Sequence, residues 1–66
     1  MEIELNGKSF QCIDSQNLAQ LVDALELTGK AIAVAVNRQV VQSQYWEQHV
    51  LQARDKVDVV RAIGGG

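Results

Sequence analysis

Residues 57–66 read VDVVRAIGGG, which predicts a β-strand that leads directly into three glycines. Apolar residues recur at every second position, so we expect Val57 and Val59 to face a core and Val60 and Ala62 to face the opposite way. Little else in so short a chain is available to cover this second face. Val60, Ala62 and Ile63 are therefore candidate docking residues, although exposed aliphatic side chains are also common on ordinary protein surfaces.

The N-terminal residues predict a hairpin. Residues 2–5 alternate charged and apolar side chains, and Asn6-Gly7 is a two-residue turn signal. Residues 8–13 form the returning strand, and they place Cys12 on the same face as the large aromatic residue of that strand. We interpret Cys12 as a small core residue, because buried free cysteine packs as a hydrophobe.

The middle of the chain predicts one amphipathic helix. Apolar residues recur at i, i+3, i+4 and i+7 from Leu18 to Leu25. Asp14 or Ser15 can cap its N-terminus, and the helix is expected to end near Leu27, before a Thr-Gly pair suited to a left-handed C-cap. This prediction gives a helix of about three turns.

The second half of the chain predicts two further strands joined by a tight turn. Residues 31–36 are an uncharged alternation of small and branched side chains, residues 37–38 form a tight turn, and residues 39–41 form a short strand. Ser43 is then expected to cap a single helical turn whose Trp46 closes one side of the core.

The predicted order of elements is strand, strand, helix, strand, short strand, one-turn helix, strand. A hairpin followed by a helix that crosses the sheet describes a mixed sheet packed on one main helix, which is the α+β β-grasp or ubiquitin-like architecture. In this architecture the last strand is central and runs parallel to the first. We predict one β-grasp domain over residues 1–63 and a flexible glycine tail over residues 64–66.

Composition excludes several classes of function. The chain has 66 residues, a net charge of -2 and one cysteine. The negative charge argues against nucleic-acid binding, and a single cysteine provides neither a disulfide nor a zinc cluster. The opening residues MEIEL are acidic where a signal peptide is basic, and no apolar run is long enough for a membrane span. We therefore expect a cytoplasmic protein that binds no metal and no membrane.

The glycine run predicts chemistry at the Gly66 carboxylate. No helix follows these glycines, so they do not form a phosphate-binding loop. Without side chains, Gly65 and Gly66 can enter a narrow channel of a partner enzyme, where the carboxylate is adenylated and then converted by sulfide into a thiocarboxylate. No residue of this chain is suited to binding ATP, so we expect a protein cosubstrate and not an enzyme. The alternative is a frayed end without function.

The chain resembles the ThiS family, the sulfur carriers of thiamine biosynthesis, over its full length. The resemblance is carried by five segments, which are IELNG at 3–7, LxxLV at 18–22, AVAVN at 33–37, Trp46, and VVRAIGGG at 59–66. The family often has Pro shortly after the fourth strand and Gly-Asp at the last turn. Gln42 and Arg54-Asp55 stand at these places, and they affect loop geometry alone.

The resemblance implies a set of partners. They are a ubiquitin-activating-like adenylyltransferase that uses ATP and magnesium on Gly66, a cysteine desulfurase route that supplies sulfur, and thiazole synthase, which builds the thiazole of thiamine. It also implies that Gly64 and Gly65 are recognised by the activating enzyme. Three alternatives remain open, namely the small sulfur-carrier subunit of molybdopterin synthase, a ubiquitin-like protein modifier, and a plain binding domain.

Overall fold

The computed structural model describes residues 1–61 and contains five strands, one α-helix and one 3-10 helix. In chain order they are β1 (Glu2–Leu5), β2 (Lys8–Gln11), α1 (Leu18–Ala24), β3 (Ile32–Val36), β4 (Gln39–Val41), the 3-10 helix (Ser43–Gln48) and β5 (Lys56–Arg61). The predicted order of elements is confirmed. Neither helix within residues 1–61 combines the length and apolar character required to cross a bilayer.

The five strands form one mixed sheet in the order β2-β1-β5-β3-β4. Strand β5 lies in the centre, parallel to β1 and antiparallel to β3. The predicted α+β β-grasp architecture is confirmed, and with it the central position of the last strand. The strand that leads to the glycines therefore has β3 beside it as far as Arg61, and β1 beside its first residues.

Both hairpins turn through left-handed residues. Asn6 and Gly7 have φ values of 50° and 82°, and Asn37 and Arg38 have φ values of 51° and 69°. Two consecutive positive φ values are typical of the tight turn whose twist matches that of the strands it joins. The sequence predicted both turns correctly, although Arg38 is not a residue type that favours this conformation.

The N-terminal cap of α1 differs from the prediction. The cap is Asn17, whose side-chain Oδ1 accepts a hydrogen bond from the Gln20 backbone N–H at 2.8 Å, while Gln20 Oε1 accepts one from the Asn17 N–H at 3.0 Å. Asp14 and Ser15 lie in the preceding turn, where Ser15 has a φ of 64°. The prediction of a cap at these two residues was wrong, because a reciprocal capping box forms three residues later.

The helix also ends earlier than predicted. Glu26 is left-handed with a φ of 60°, its N–H donates to the Asp23 carbonyl, and the Leu27 N–H donates to the Val22 carbonyl. These two bonds form a Schellman motif, which reverses the chain and places Leu27 against the core. The predicted helix end near Leu27, capped by Gly29, was wrong because anchoring Leu27 in the core favours an earlier reversal. Gly29 is left-handed as predicted, with a φ of 82°, but it lies in the turn after the helix has ended.

The core lies between the sheet and α1. Among residues 1–61, its buried side chains are Ile3, Cys12, Leu18, Leu21, Val22, Val34, Val36, Leu51 and Val57. Cys12 is buried as predicted, and burial raises the pKa of its thiol, an effect partly offset by the positive N-terminus nearby. The thiol therefore stays neutral at physiological pH and packs as an apolar group.

The 3-10 helix begins at Ser43 and is preceded by Gln42, without a side-chain cap. The prediction that Ser43 caps this turn was wrong. Trp46 packs half-buried against the core, and its indole Nε1–H donates to the Val41 carbonyl at 2.8 Å. The ring therefore ties the 3-10 helix to the end of β4.

Replacement of Trp46 by alanine is expected to lower the free energy of unfolding by about 2 to 3 kcal/mol, because it removes partly buried ring area and the bond to Val41. The measurement is urea denaturation. Trp46→Phe is the matched control, since it retains an aromatic ring without the N–H donor, and it should lose about 1 kcal/mol. Equal losses in the two variants would show that the hydrogen bond, and not the ring area, carries the effect.

Candidate functional site

Strand β5 has two faces of different character. Val57 is buried and Val59 packs against the core, whereas Val60 is 59% exposed on the opposite face of the sheet. The predicted alternation is therefore confirmed as far as Val60. Ala62, Ile63, Gly64, Gly65 and Gly66 lie outside the described residues, and their roles remain predictions.

The sheet register places other small apolar residues beside Val60. Ala33 is its direct partner on β3, and Ala35 on the same strand pairs with Val40 of β4. Because alternate residues of a strand share a face, these four residues lie together on the side of the sheet away from α1. We call Ala33, Ala35, Val40 and Val60 the outer patch.

Sequence reasoning missed Val40, a member of the outer patch whose side chain is 74% exposed. A signal was present, because Val41 of the same short strand packs against the core and its neighbour must then face outward. That inference needed the pairing of β4 with β3, which the prediction of a tight turn and a short strand did not state. The outer patch is thus wider than the candidates taken from the last strand alone.

The other half of the outer face is polar. Glu2, Glu4 and Ser9 lie on β1 and β2, and the Ser9 hydroxyl donates to the Glu2 carboxylate. A cleft of about 300 Å³ on this side is lined by these residues with Ile3, Gly7, Arg54 and Lys56. The cleft has two acidic and two basic side chains and therefore no excess of positive charge, so it is poorly suited to binding a nucleoside triphosphate.

The covalent chain limits the distance between the outer patch and the predicted chemistry. Gly66 lies six positions after Val60 in the sequence, and an extended chain spans at most about 3.6 Å per residue. The Gly66 carboxylate therefore lies within about 22 Å of Val60. A partner that covers the outer patch has the tail within reach.

Two loops brace β5 at its start. The Asn37 side-chain Oδ1 accepts from the Lys56 N–H at 3.0 Å, and its Nδ2 donates to Asp55 Oδ1 at 3.2 Å. Asp55 Oδ2 also accepts from the Gln52 N–H at 2.9 Å. These bonds occupy the polar groups of Asn37 and Asp55 in support of the strand, so we assign them no chemical role.

Among residues 1–61, no group of three His, Cys, Asp or Glu side chains is arranged to hold a metal ion. The half-buried His49 lies outside any such group. The described domain thus combines a rigid central strand with an apolar outer patch, an arrangement suited to binding a protein surface.

Mixed five-strand topology, one main helix and a central last strand define a ubiquitin-like β-grasp domain with an exposed apolar sheet face. The model of the ThiS family matches residues 3–66. The sulfur carrier protein ThiS from Escherichia coli is 32% identical over 66 residues, an alignment that covers the whole of both chains. The chain therefore belongs to the ThiS family.

Two further comparisons agree with this assignment. The crystal structure of a thiamine biosynthesis protein (ThiS) from Geobacter metallireducens matches with a TM-score of 0.87 and 25% identity, covering 100% of both chains. The uncharacterized protein ycf40 from Porphyra purpurea is 26% identical over 66 residues, which cover 100% of this chain and 93% of the relative.

Proposed function

We propose that this chain is a sulfur carrier for synthesis of the thiazole moiety of thiamine, and that Gly66 bears the sulfur as a thiocarboxylate. The single observation that carries the proposal is the run of three glycines after the central strand of a ThiS-family domain. The fold alone would not suffice, because β-grasp domains serve unrelated functions.

The proposed chemistry has two steps. An oxygen of the Gly66 carboxylate attacks the α-phosphorus of ATP, which releases pyrophosphate and gives an acyl adenylate. Sulfide then attacks the acyl carbon, AMP leaves, and the thiocarboxylate remains. Neither step changes an oxidation state. The first step bonds a carboxylate oxygen, by itself a poor leaving group, to phosphorus, so that it can leave the acyl carbon as part of AMP when sulfide attacks.

The catalytic groups belong to partners in this proposal. A ubiquitin-activating-like adenylyltransferase supplies the ATP and magnesium site, a cysteine desulfurase route supplies the sulfur, and thiazole synthase accepts it. The adenylyltransferase recognises the tail at Gly64 and Gly65, and a side chain on either of the last two residues, Gly65 or Gly66, would obstruct the narrow channel. We place the exchange in the cytoplasm, where a free thiol such as that of Cys12 stays reduced.

The outer patch is the proposed docking surface for these partners. The proposed docking surface consists of the outer patch together with Ala62 and Ile63, the other two candidates from the sequence. Ala33, Ala35 and Val40 are the residues that the structure adds. The burial of exposed valine and alanine side chains against a partner is favourable by about 25 cal/mol per Å² of apolar area. The exposed Asp58, which pairs with Ala35 of the outer patch, favours a partner with a basic group at the corresponding place.

Val60→Asp is expected to weaken binding of the adenylyltransferase by about 30-fold, because a carboxylate would be buried in an apolar interface. The domain itself should lose less than about 1 kcal/mol of stability, since residue 60 faces solvent in the free protein. Titration calorimetry measures the first quantity and urea denaturation the second.

Ile13→Asp is the matched control for this variant. Ile13 is 68% exposed in the connection that follows β2, an edge strand that β1 separates from β5 and the outer patch. It should bind as the unmodified protein does. Equal losses of affinity at positions 13 and 60 would contradict the proposed docking surface.

Intact mass spectrometry tests the thiocarboxylate directly. The protein is expressed with its native partners and examined for a species in which one oxygen is replaced by sulfur. Fragmentation should place the sulfur on Gly66, and deletion of this residue should abolish the species. An unmodified mass in the presence of active adenylyltransferase and sulfur source would contradict the proposal, and so would a covalent adduct of the carboxylate with a lysine of another protein.

A further inference from the structure

Strand β5 continues beyond the end of its neighbour β1. The parallel ladder contains only the pairs Glu4 with Lys56 and Leu5 with Val57, whereas β3 accompanies β5 as far as Arg61. On the β1 side, therefore, the last residues of β5 have no strand beside them among residues 1–61. This open edge lies in the strand that leads to the glycines.

Asn6 forms the last link between the two strands. Its backbone N–H donates to the Val57 carbonyl at 2.9 Å, and its side-chain Oδ1 accepts from the Val59 N–H at 2.8 Å. In a continuing strand the second bond would use a backbone carbonyl. Because Asn6 is left-handed and turns the chain toward β2, its side chain satisfies this donor at the point where β1 leaves the sheet.

The next two backbone groups along this edge are left open. The Lys56 carbonyl accepts from the Asn37 N–H at 2.7 Å. The backbone N–H and C=O groups of the even-numbered residues of β5 therefore point toward β3. The backbone groups of the odd-numbered residues point toward the β1 side, as the bonds of Val57 and Val59 to Asn6 confirm. Among residues 1–61, no group bonds to the Val59 carbonyl or to the Arg61 N–H.

We propose that the Val59 carbonyl and the Arg61 N–H pair with an extended backbone segment of the adenylating partner, which occupies the place that β1 vacates at Asn6. This inference rests on the proposed function. A carbonyl and an amide presented on one strand edge are matched by the backbone of another extended chain, a recognition mode known as β-augmentation.

The segment that pairs with this edge belongs to the adenylating partner and not to a second copy of this chain. Two features of the edge support this, namely the small number of its open groups and its position beside the outer patch and the tail. Two hydrogen-bonding groups are too few to hold two copies together. For the adenylating partner, the same contact adds to an interface that already covers the outer patch and engages the tail. Strand pairing at Arg61 also fixes the direction in which the remaining five residues leave the sheet, and it thereby aims Gly66 at the reaction centre.

Arg61→Pro tests the pairing, because proline removes the N–H and places a ring on the open edge. The N–H at position 61 points away from β3, so no bond of the β3 ladder is lost. We expect binding to the adenylyltransferase about tenfold weaker, the equivalent of about 1.4 kcal/mol. Arg61→Ala is the matched control, since it keeps the N–H, and it should bind within about threefold of the unmodified protein.

Hydrogen exchange of the unmodified protein gives a second test that needs no folding of a variant. The Arg61 amide should exchange rapidly in the free protein and at least about tenfold more slowly in the complex, whereas the Val60 amide, bonded to β3, should be protected in both. An Arg61 amide that exchanges equally fast in both states would overturn the inference. So would an Arg61→Ala variant that loses as much affinity as Arg61→Pro, or protection of Arg61 that appears on concentrating the free protein.

The outcomes separate this inference from the function on which it rests. If the unmodified protein supports ATP–pyrophosphate exchange and Arg61→Pro does so equally at limiting concentrations, the strand pairing is wrong and the carrier function stands. If the unmodified protein supports no ATP–pyrophosphate exchange at all, the proposed carrier function itself is wrong.

Discussion

Gly66→Ala is expected to lower kcat/KM for adenylation by roughly 100-fold, the largest effect that we predict for a single methyl group. The added Cβ lies next to the carboxylate that must approach the α-phosphorus of ATP in a narrow site. A displacement of about 1 Å between reacting atoms is enough for a loss of this size. ATP–pyrophosphate exchange with the adenylyltransferase measures it, and the reaction needs no sulfur source.

The fold should be unaffected by this change, because the buried side chains described above all lie between residues 3 and 57. Gly64→Ala is the matched control, since it adds the same methyl group two residues from the carboxylate. It should give a much smaller loss of exchange activity than Gly66→Ala. A normal exchange rate for Gly66→Ala, or equal losses for the two variants, would contradict the proposed approach of an unhindered terminus.

The strands were predictable because their signals are local and regular. Three local patterns each specify a conformation without reference to distant residues. They are the alternation over residues 2–5, the Asn6-Gly7 turn and the uncharged run before Asn37. The central position of β5 needed one more step, the architecture as a whole, and it was still predicted correctly. Every strand of the described sheet was thus predicted from the period-2 alternation of its side chains and from the residue types at the turns.

The ends of α1 were not predictable in the same way. Ser15, a residue type that favours caps, was passed over for Asn17 because Gln20 stands three residues after Asn17 and completes a reciprocal pair. At the other end Glu26, and not glycine, takes the left-handed position, since Leu27 gains burial when the chain turns there. Tertiary packing therefore overrode local propensity at the C-terminal boundary. The N-terminal cap follows a local pair, Asn17 and Gln20, which the prediction overlooked.

The candidate site was only partly visible in the sequence. Period-2 alternation placed Val60 on the outer face, but Val40 joins it through strand pairing, which a single sequence does not specify. Asn6 was interpreted as a turn residue alone. Its bond to the Val59 N–H spans 53 positions of sequence, so no local pattern could have indicated it.

The domain that holds the tail is small, and its stability is expected to depend strongly on a few core side chains. A chain of this length rarely gains more than about 3 to 5 kcal/mol from a single core. Leu21 on α1 is 0% exposed and packs between the helix and the sheet. Leu21→Ala is expected to cost about 3 to 4 kcal/mol, since it removes buried methyl groups and leaves a cavity.

Urea denaturation of Leu21→Ala should therefore give a free energy of unfolding of about 2 kcal/mol or less at 25 °C. Leu25→Ala is the matched control, because Leu25 lies at the end of the same helix and is only half-buried. It should cost markedly less. A loss below about 1 kcal/mol for Leu21→Ala would show that the core relaxes to fill the space.

Leu21→Ala also tests whether tail chemistry depends on the domain only through folding. Adenylation is proposed to use Gly66, the edge of β5 and the outer patch, none of which contains Leu21. When pyrophosphate exchange is divided by the folded fraction measured in the same buffer, the variant should match the unmodified protein within about twofold. A tenfold deficit per folded molecule would mean that helix packing controls the position of β5, and that the docking surface is not set by the sheet alone.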